Sequence, residues 1–390
     1  MHPSFVQSDA QFREILQRIE GQSELYLDCE FHTEGRFYPK LCLVQLAFGD
    51  EFWAISARRV NLRALAPILQ SPSISKVFHD GRQDIPILVR ATGATEVRAV
   101  FDTQIAAAFA GYGSSIGYGA LIQQLCGVEL DKSLQMSDWS RDLSDAQIEY
   151  ALDDVRYLPS AYAALCAKLA ASGRLDWTRE ACAESVSRAL TRPDPELLYR
   201  KVAAASRLTA SQLGILRELA KWRNHVAEAL DKPTQSVAND LALKSMAVRP
   251  PHDLAGVDGV RGLGAGRNQP WANKLLEAIA FGKARPELKP RALLSREQEM
   301  RVEGILSLLG VARRFVASRE EIAAELLADQ SELRALAEWH LLQQPTELTL
   351  GVLVGWRRAV IGELLLAALS GETAFRVDAA ALSGIELVRT

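Results

Sequence analysis

The chain has 390 residues and a formal net charge of −3, with 48% apolar and 24% charged residues. This composition excludes an intrinsically disordered chain, and the length is typical of two or three domains of roughly 100–200 residues each. No apolar run reaches the ~18 residues of a membrane helix, and the N-terminus lacks the pattern of an export signal, so we expect a cytoplasmic protein that does not enter a membrane. The five cysteines lack metal-site spacing, which favours free thiols in a reducing compartment.

Charge is distributed unevenly between the two halves of the chain. Residues 1–190 carry 18 Lys and Arg against 24 Asp and Glu, whereas residues 191–390 carry 27 against 24. We therefore expect acidic chemistry in the first half and a mildly basic contact surface in the second.

Short runs with strand character alternate with helical patterns up to about residue 160. The first three runs are separated only by short turn-rich segments, which predicts an antiparallel meander. Later strands alternate with helices, which predicts parallel pairing through βαβ crossovers. The predicted strands cover residues 25–31, 41–48, 51–55, 75–79 and 99–101, and the predicted helices cover residues 62–69, 84–90, 103–110, 119–126, 145–158 and 159–171. The expected first domain is therefore α/β, with a mixed sheet flanked by helices.

Helical periodicity dominates beyond a proline-rich segment at residues 192–195, which we take as a domain boundary. A second proline-containing segment, residues 285–290, divides the remainder into two parts. Each part suits an all-helical module of about 80 residues, and a weak strand pattern follows at the extreme C-terminus. The glycine-rich stretch at residues 256–266 does not follow GxGxxG, and the chain has no GxxxxGK[ST] loop, which indicates a protein that does not use ATP.

Two carboxylates lie near the end of the first predicted strand. Asp28 and Glu30 are two residues apart, so their side chains point to the same face of the strand. Two adjacent carboxylates repel each other, and a divalent cation such as Mg²⁺ or Mn²⁺, which prefers oxygen ligands, removes that repulsion. A solvated strand edge remains the alternative interpretation of this pair.

Further acids lie at two predicted helices. Asp84 falls in the first turn of the helix that follows the fourth strand, where an ordinary helix-terminal carboxylate is the alternative and Asp80 is a competing candidate. A later helix begins with the capping-box pattern of residues 144–147. On it, Tyr150 and Asp154 are four residues apart and share a face, although a lone Tyr-x-x-x-Asp is common by chance.

Together, a carboxylate pair on the first strand, an aspartate entering a later helix and a Tyr/Asp pair on a further helix form the pattern of the DEDDy 3′→5′ exonucleases. The chain resembles the ribonuclease D family in particular. The resemblance runs from about residue 10 to residue 185 and includes the segments at residues 38–46, 101–104, 130–133 and 137–139. The back half resembles the HRDC modules of that family, with the second copy more diverged than the first.

The resemblance implies a ribonuclease H-like α/β exonuclease domain over residues 1–190. Two all-α HRDC-like domains are expected to follow, over residues 208–287 and 294–375. The implied activity is that of a 3′→5′ exoribonuclease, a hydrolase that trims tRNA precursors and other structured RNAs and releases 5′-mononucleotides. We expect a monomer that binds RNA.

The resemblance also implies roles for the site residues. Two divalent metal ions, Mg²⁺ or Mn²⁺, would be held by Asp28, Glu30, Asp84 and Asp154, and we expect all four carboxylates to be ionised at pH 7. The hydroxyl of Tyr150 would orient the attacking water, because an unperturbed tyrosine pKa near roughly 10 makes it a poor general base at pH 7.

Four further residues are candidates for contacts to RNA. Arg82, Lys132 and Arg141 are candidate phosphate contacts, with ordinary solvated charges as the alternative. His79 is a candidate to pack the terminal base or to belong to the core. Two alternatives to the exoribonuclease remain at the level of the whole protein: the same chemistry on DNA, and an RNA-binding protein without catalysis.

Overall fold

The computed structural model describes residues 2–131, 133–134, 137–203, 208–285, 294–342, 350–381 and 384–389. The chain folds into two units. Unit 1 comprises Met1–Glu30, Leu41–Leu190 and Leu294–Thr390, and unit 2 comprises Phe31–Lys40 and Thr191–Leu293. Among the helices in the described ranges, none combines the length and apolar character that a bilayer crossing requires.

A six-stranded mixed sheet forms the centre of unit 1, in the strand order β1-β4-β3-β2-β5-β6. The strands are β1 (Phe5–Val6), β2 (Glu24–His32), β3 (Lys40–Phe48), β4 (Glu51–Ser56), β5 (Ser75–Phe78) and β6 (Val100–Asp102). Strands β3 and β4 pair antiparallel, whereas β1 with β4, β2 with β5 and β5 with β6 pair parallel. The predicted mixed sheet is confirmed.

Within the described residues, the helices that pack with this sheet are α1 (Asp9–Ile19), α2 (Ala66–Gln70), α3 (Asp84–Thr92), α4 (Thr103–Phe109), α5 (Tyr118–Cys126), α6 (Asp145–Arg156), α7 (Leu158–Ala171) and α8 (Leu175–Leu190). The sequence analysis did not predict two of these helices, α1 and α8. Helix α1 buries Phe12, Ile15 and Ile19, and Ser8 caps its N-terminus by accepting a hydrogen bond from the Gln11 N–H. An N-cap serine and a periodic apolar face are ordinary helix signals, so α1 could have been predicted from the sequence.

The C-terminal helices of unit 1 are α15 (Arg296–Glu320), α16 (Ala324–Leu327), α17 (Gln330–Leu341), α18 (Gly355–Arg357) and α19 (Glu363–Ser370), followed by the hairpin of β7 (Thr373–Val377) and β8 (Ile385–Arg389). They share one hydrophobic core with the sheet and its helices. Trp356 stacks on Trp177 with ring centroids 5.3 Å apart and meets Phe109 edge to face at 5.0 Å. The segment after residue 294 is therefore part of the same folded unit as the sheet.

Unit 2 is built from α9 (Tyr199–Ala203), α10 (Ala210–Leu230), α11 (Thr234–Val237), α12 (Asp240–Val248), α13 (Leu254–Asp258) and α14 (Trp271–Ala284). Its core lies between α10, α12 and α14 and includes Leu216 and Trp222. The segment Phe31–Lys40, which connects β2 to β3, also belongs to this unit. The carboxylate of Asp231, at the C-terminal cap of α10, accepts hydrogen bonds from the backbone N–H groups of Phe37 and Tyr38 at 3.2 and 3.1 Å.

Candidate active site

Three carboxylates converge beside strand β2. One oxygen atom from each of Asp28, Glu30 and Asp154 lies within 4.8 Å of the others. Asp28 and Glu30 are on β2, and Asp154 is on α6. All three side chains are partly buried. The structure thus brings the strand pair and the helix aspartate into one cluster.

The parallel pairing of β2 and β5 explains how Asp84 reaches the same region. Tyr26 of β2 pairs with Val77 of β5, so Asp28 lies level with residue 79, just after β5 ends. The chain then turns through residues 79–83 into α3, which begins at Asp84. The Asp84 side chain is buried, with 7% exposure. Its negative charge contributes to raising the pKa of both Asp28 and Glu30, which places it within electrostatic range of the cluster.

The N-terminal cap of helix α6 and its packing hold Tyr150 and Asp154 in position. Ser144 and Gln147 form the predicted capping box at its N-terminus. Its buried face carries Ile148, Ala151, Leu152 and Val155. Tyr150 packs against the buried Trp139, with ring centroids 6.3 Å apart. This packing fixes the helix against the sheet, so its polar face is held toward β2.

The carboxylates of the cluster hold protons more tightly than free carboxylates do. Burial raises the pKa of Glu30 to about 8, and the charges of Asp154 and Asp84 add to the effect. Burial raises the pKa of Asp84 and of Asp154 to about 7 each, with further contributions from neighbouring aspartates. Burial and then the neighbouring acids raise the pKa of Asp28 well above its ordinary value. The expectation that all four are ionised at pH 7 is therefore wrong for the site without cations.

The donor set fits divalent cations. Within the described part of the chain, none of the four carboxylates forms an ion pair with Lys, Arg or His, so no basic side chain offsets the charge that they carry once deprotonated. The two competing aspartates differ in this respect. Asp80 forms an ion pair with Arg82 at 2.7 Å, and Asp153 forms one with Arg156. Clustered, partly buried carboxylate oxygens without basic partners are the ligands that Mg²⁺ and Mn²⁺ prefer.

The residues predicted to contact RNA differ in their exposure and in the groups that they contact. Arg82 and Arg141 are exposed and pair with Asp80 and Asp138 at 2.7 and 2.8 Å. Lys132 lies outside the described residues. The ring of His79 is held on both sides, because Nδ1 lies 3.0 Å from Thr103 Oγ1 and Nε2 lies 3.0 Å from the Ile116 carbonyl oxygen. The ring also lies against Tyr118, with ring centroids 5.6 Å apart.

Tyr118 is a site neighbour that the sequence analysis did not single out. Its hydroxyl donates a hydrogen bond of 2.9 Å to the carbonyl oxygen of Asp153, next to Asp154 on α6. Burial raises its pKa above the ordinary range, and the charges of Asp154 and Asp28 contribute. No spacing signal in the sequence links residue 118 to residue 153, because the contact joins two helices that are distant in the chain.

Comparison with known proteins gives two domain matches. A family profile described as 3′-5′ exonuclease matches residues 3–170, and one described as HRDC domain matches residues 212–279. Proteins named ribonuclease D are similar over nearly the whole chain. The one from Gluconacetobacter diazotrophicus is 34% identical over 93% of this chain and 92% of its own length. The one from Acidiphilium cryptum is 33% identical over 95% of this chain and 94% of its own length.

A solved structure is similar to the whole chain as well. The crystal structure of Escherichia coli RNase D, an exoribonuclease involved in structured RNA processing, superposes with a TM-score of 0.81. It is 29% identical and covers 95% of this chain and 99% of its own. The similarity thus extends through the sheet and through the helical segments that follow it.

Proposed function

Because the chain belongs to the ribonuclease D family of 3′→5′ exoribonucleases, we propose that it trims the 3′ ends of tRNA precursors and other structured RNAs and releases 5′-mononucleotides. The protein is a metal-dependent exoribonuclease. The observation that carries the proposal is the cluster of Asp28, Glu30 and Asp154, with Asp84 in electrostatic range and no basic partner on any of the four within the described residues. The relatives are named as ribonucleases, which disfavours the DNA alternative.

The four carboxylates would hold two divalent cations, Mg²⁺ or Mn²⁺. Cations bound there supply positive charge that favours deprotonation of the attacking water and offsets the charge developing on the leaving 3′-oxygen. By holding the cations, the carboxylates would determine where the scissile phosphodiester binds. Because the four acids have no basic partner in the described residues, they offer an anionic substrate no attraction without cations.

Tyr150 is proposed to orient the attacking water. Burial, with the charges of Asp154 and Glu30, raises its pKa to about 12, so its hydroxyl is protonated at neutral pH. A protonated phenol donates or accepts a hydrogen bond but does not remove a proton. The position of Tyr150 on the face of α6 that carries Asp154 supports this role.

We further propose the exonuclease domain at residues 1–190 and two HRDC-like domains at residues 208–287 and 294–375. The helices found in both segments support their HRDC-like character, and the segment from residue 294 shares its hydrophobic core with the sheet. RNA contacts by His79, Arg82, Lys132 and Arg141 remain part of the proposal. The exposure of both arginines suits phosphate contacts.

We also propose a monomer that works without ATP in the cytoplasm. All five cysteines are free in the structure, which suits a reducing compartment.

The test is a comparison of 5′-labelled RNA with DNA of the same sequence, each with Mn²⁺, with Mg²⁺ and with excess chelator. We expect the RNA to shorten from its 3′ end to a ladder of products, with 5′-mononucleotides released and no reaction under chelator. An RNA carrying a 3′-phosphate should react more slowly. Activity that persists in excess chelator, or cleavage of a circular RNA, would contradict the proposal, and equal rates on DNA would contradict its substrate assignment.

A further inference from the structure

Asp102 ends strand β6 next to the turn that leads into α3. Its side chain is buried, with 5% exposure, and it accepts four backbone hydrogen bonds. The N–H groups of Gln104 and Ile105, at the start of α4, donate to Oδ1 at 2.9 and 3.4 Å. The N–H groups of Asp80 and Gly81 donate to Oδ1 and Oδ2 at 3.1 and 2.9 Å. The carboxylate therefore caps α4 and at the same time holds a second segment of chain.

That second segment is a turn with little conformational freedom. Asp80 has a φ of 57°, in the left-handed region that most residues rarely adopt, with glycine, asparagine and aspartate the usual exceptions. A Cβ atom on Gly81 would lie 2.8 Å from the side chain of Phe78. The backbone N–H of Ile85 donates to the Gly81 carbonyl oxygen at 3.0 Å, so this turn runs directly into α3. A backbone in such a conformation persists only where surrounding groups hold it.

Asp84 is the first residue of α3, so the turn determines where its carboxylate lies. We propose that Asp102 is a positioning residue for the metal site, holding the turn at Asp80 and Gly81 in the conformation that places Asp84 beside Asp28 and Glu30. This inference rests on the proposed function, because it assumes that Asp84 serves the cation site. Groups that orient metal ligands without touching the metal commonly govern affinity for it.

A purely structural role, capping of α4, makes a different prediction from the positioning role. Serine at position 102 keeps an N-cap acceptor for the first N–H groups of α4. Its hydroxyl is too short to reach the N–H groups of Asp80 and Gly81 as well. Asp102→Ser therefore separates the two roles. Gly81→Ala perturbs the same turn through Phe78 and leaves the cap of α4 intact.

The matched control is Asp329→Ser. Asp329 is the exposed N-cap of α17, where it accepts a hydrogen bond from the Glu332 N–H at 2.8 Å. Asp329→Ser makes the same chemical change at a helix cap that does not hold a ligand-bearing turn.

The experiment measures Mn²⁺ affinity by calorimetry and amide hydrogen exchange of residues 80–85 in the full-length, chelator-treated protein. We expect Asp102→Ser and Gly81→Ala to weaken Mn²⁺ binding by about 10- to 100-fold, as is usual for groups behind the ligands. Exchange at residues 80–85 should accelerate in both variants, and Asp329→Ser should leave both readouts unchanged. Thermal unfolding identifies any variant that has lost its fold, and in that case the other turn variant decides the question.

Wild-type Mn²⁺ affinity in a folded Asp102→Ser variant, or unchanged exchange at the turn, would overturn the positioning role. An equal loss of affinity in Asp329→Ser would also overturn the positioning role, because the replacement of an N-cap aspartate far from the turn would then weaken Mn²⁺ binding as much. A wild-type chain that binds no Mn²⁺ would instead overturn the proposed metal site itself.

Discussion

Replacing Tyr150 with phenylalanine removes one hydroxyl from the site and leaves the aromatic ring. The ring packs on Trp139 with centroids 6.3 Å apart, and phenylalanine preserves that packing. The carboxylates of Asp154 and Glu30 are also preserved. The substitution thus isolates the hydrogen bond that the hydroxyl makes to the attacking water.

The expected loss of rate follows from the protonation state of the Tyr150 hydroxyl. Because the pKa of Tyr150 is raised to about 12, the group is neutral and can contribute one hydrogen bond. A hydrogen bond to a charged partner contributes roughly 1.5–3 kcal/mol, and each increment of about 1.36 kcal/mol is tenfold in rate, so Tyr150→Phe should lose about 10- to 150-fold. Mn²⁺ affinity should stay close to that of the wild type.

The assay combines single-turnover rates on a short RNA at saturating Mn²⁺ with calorimetric Mn²⁺ titration. Tyr157→Phe is the matched control, because Tyr157 is a half-buried tyrosine at the C-cap of the same helix. The rate of Tyr150→Phe should follow the same pH dependence as the wild type between pH 7 and 9. An unchanged rate or a loss of metal binding in Tyr150→Phe would refute the water-orienting role. A pH–rate profile that lacks a rise or fall seen in the wild type would also refute it.

Four further predictions concern the charges and the core. Asp154→Asn should abolish nearly all activity and weaken Mn²⁺ binding, whereas Asp153→Asn, which leaves Arg156 paired with Glu149, should keep both; the reverse order would contradict the ligand assignment. Since the pKa of Glu30 is raised to about 8 and those of Asp84 and Asp154 to about 7, Mn²⁺ must displace protons from the site. Calorimetric affinity should therefore rise between pH 6 and 8, by up to about tenfold per pH unit for each proton released, and a flat profile would exclude this linkage. The same raised pKa predicts that the chelated protein is most stable near pH 5 and loses stability as the pH rises toward 8, which thermal unfolding can check. Trp356→Ala should lower the free energy of unfolding by about 3–5 kcal/mol in urea, because it empties a buried site beside Trp177 in the core; a loss below about 1 kcal/mol would contradict a shared core.

Much of the fold follows from local patterns in the sequence. Strands β2, β3 and β4 lie where alternating apolar runs are bounded by turn residues, and α6 begins at the capping box of Ser144 and Gln147. Such signals are readable because they depend on neighbours within a few residues. The resemblance in the acid pattern also predicted the family, and the comparisons confirm it.

Tertiary structure decides which acidic residues share an environment. The sequence leaves Asp80 beside Asp84 and Asp153 beside Asp154 as equivalent carboxylates. Folding gives Asp80 and Asp153 arginine partners. It leaves Asp84, which is buried, and Asp154, which is partly buried, without one in the described residues. The burial of a carboxylate depends on segments that are distant in the chain, so residue spacing does not predict the raised pKa values of the cluster.

The same reason applies to longer-range packing. The sequence predicts helices in the segment that begins at residue 294, because helical periodicity is local. That Trp356 packs on Trp177 and Phe109, and that the Asp102 carboxylate reaches the turn at Gly81, depends on side chains far apart in the chain meeting in three dimensions. Local propensity sets the elements, whereas hydrophobic burial and hydrogen bonding between elements set which of them form one core and one site.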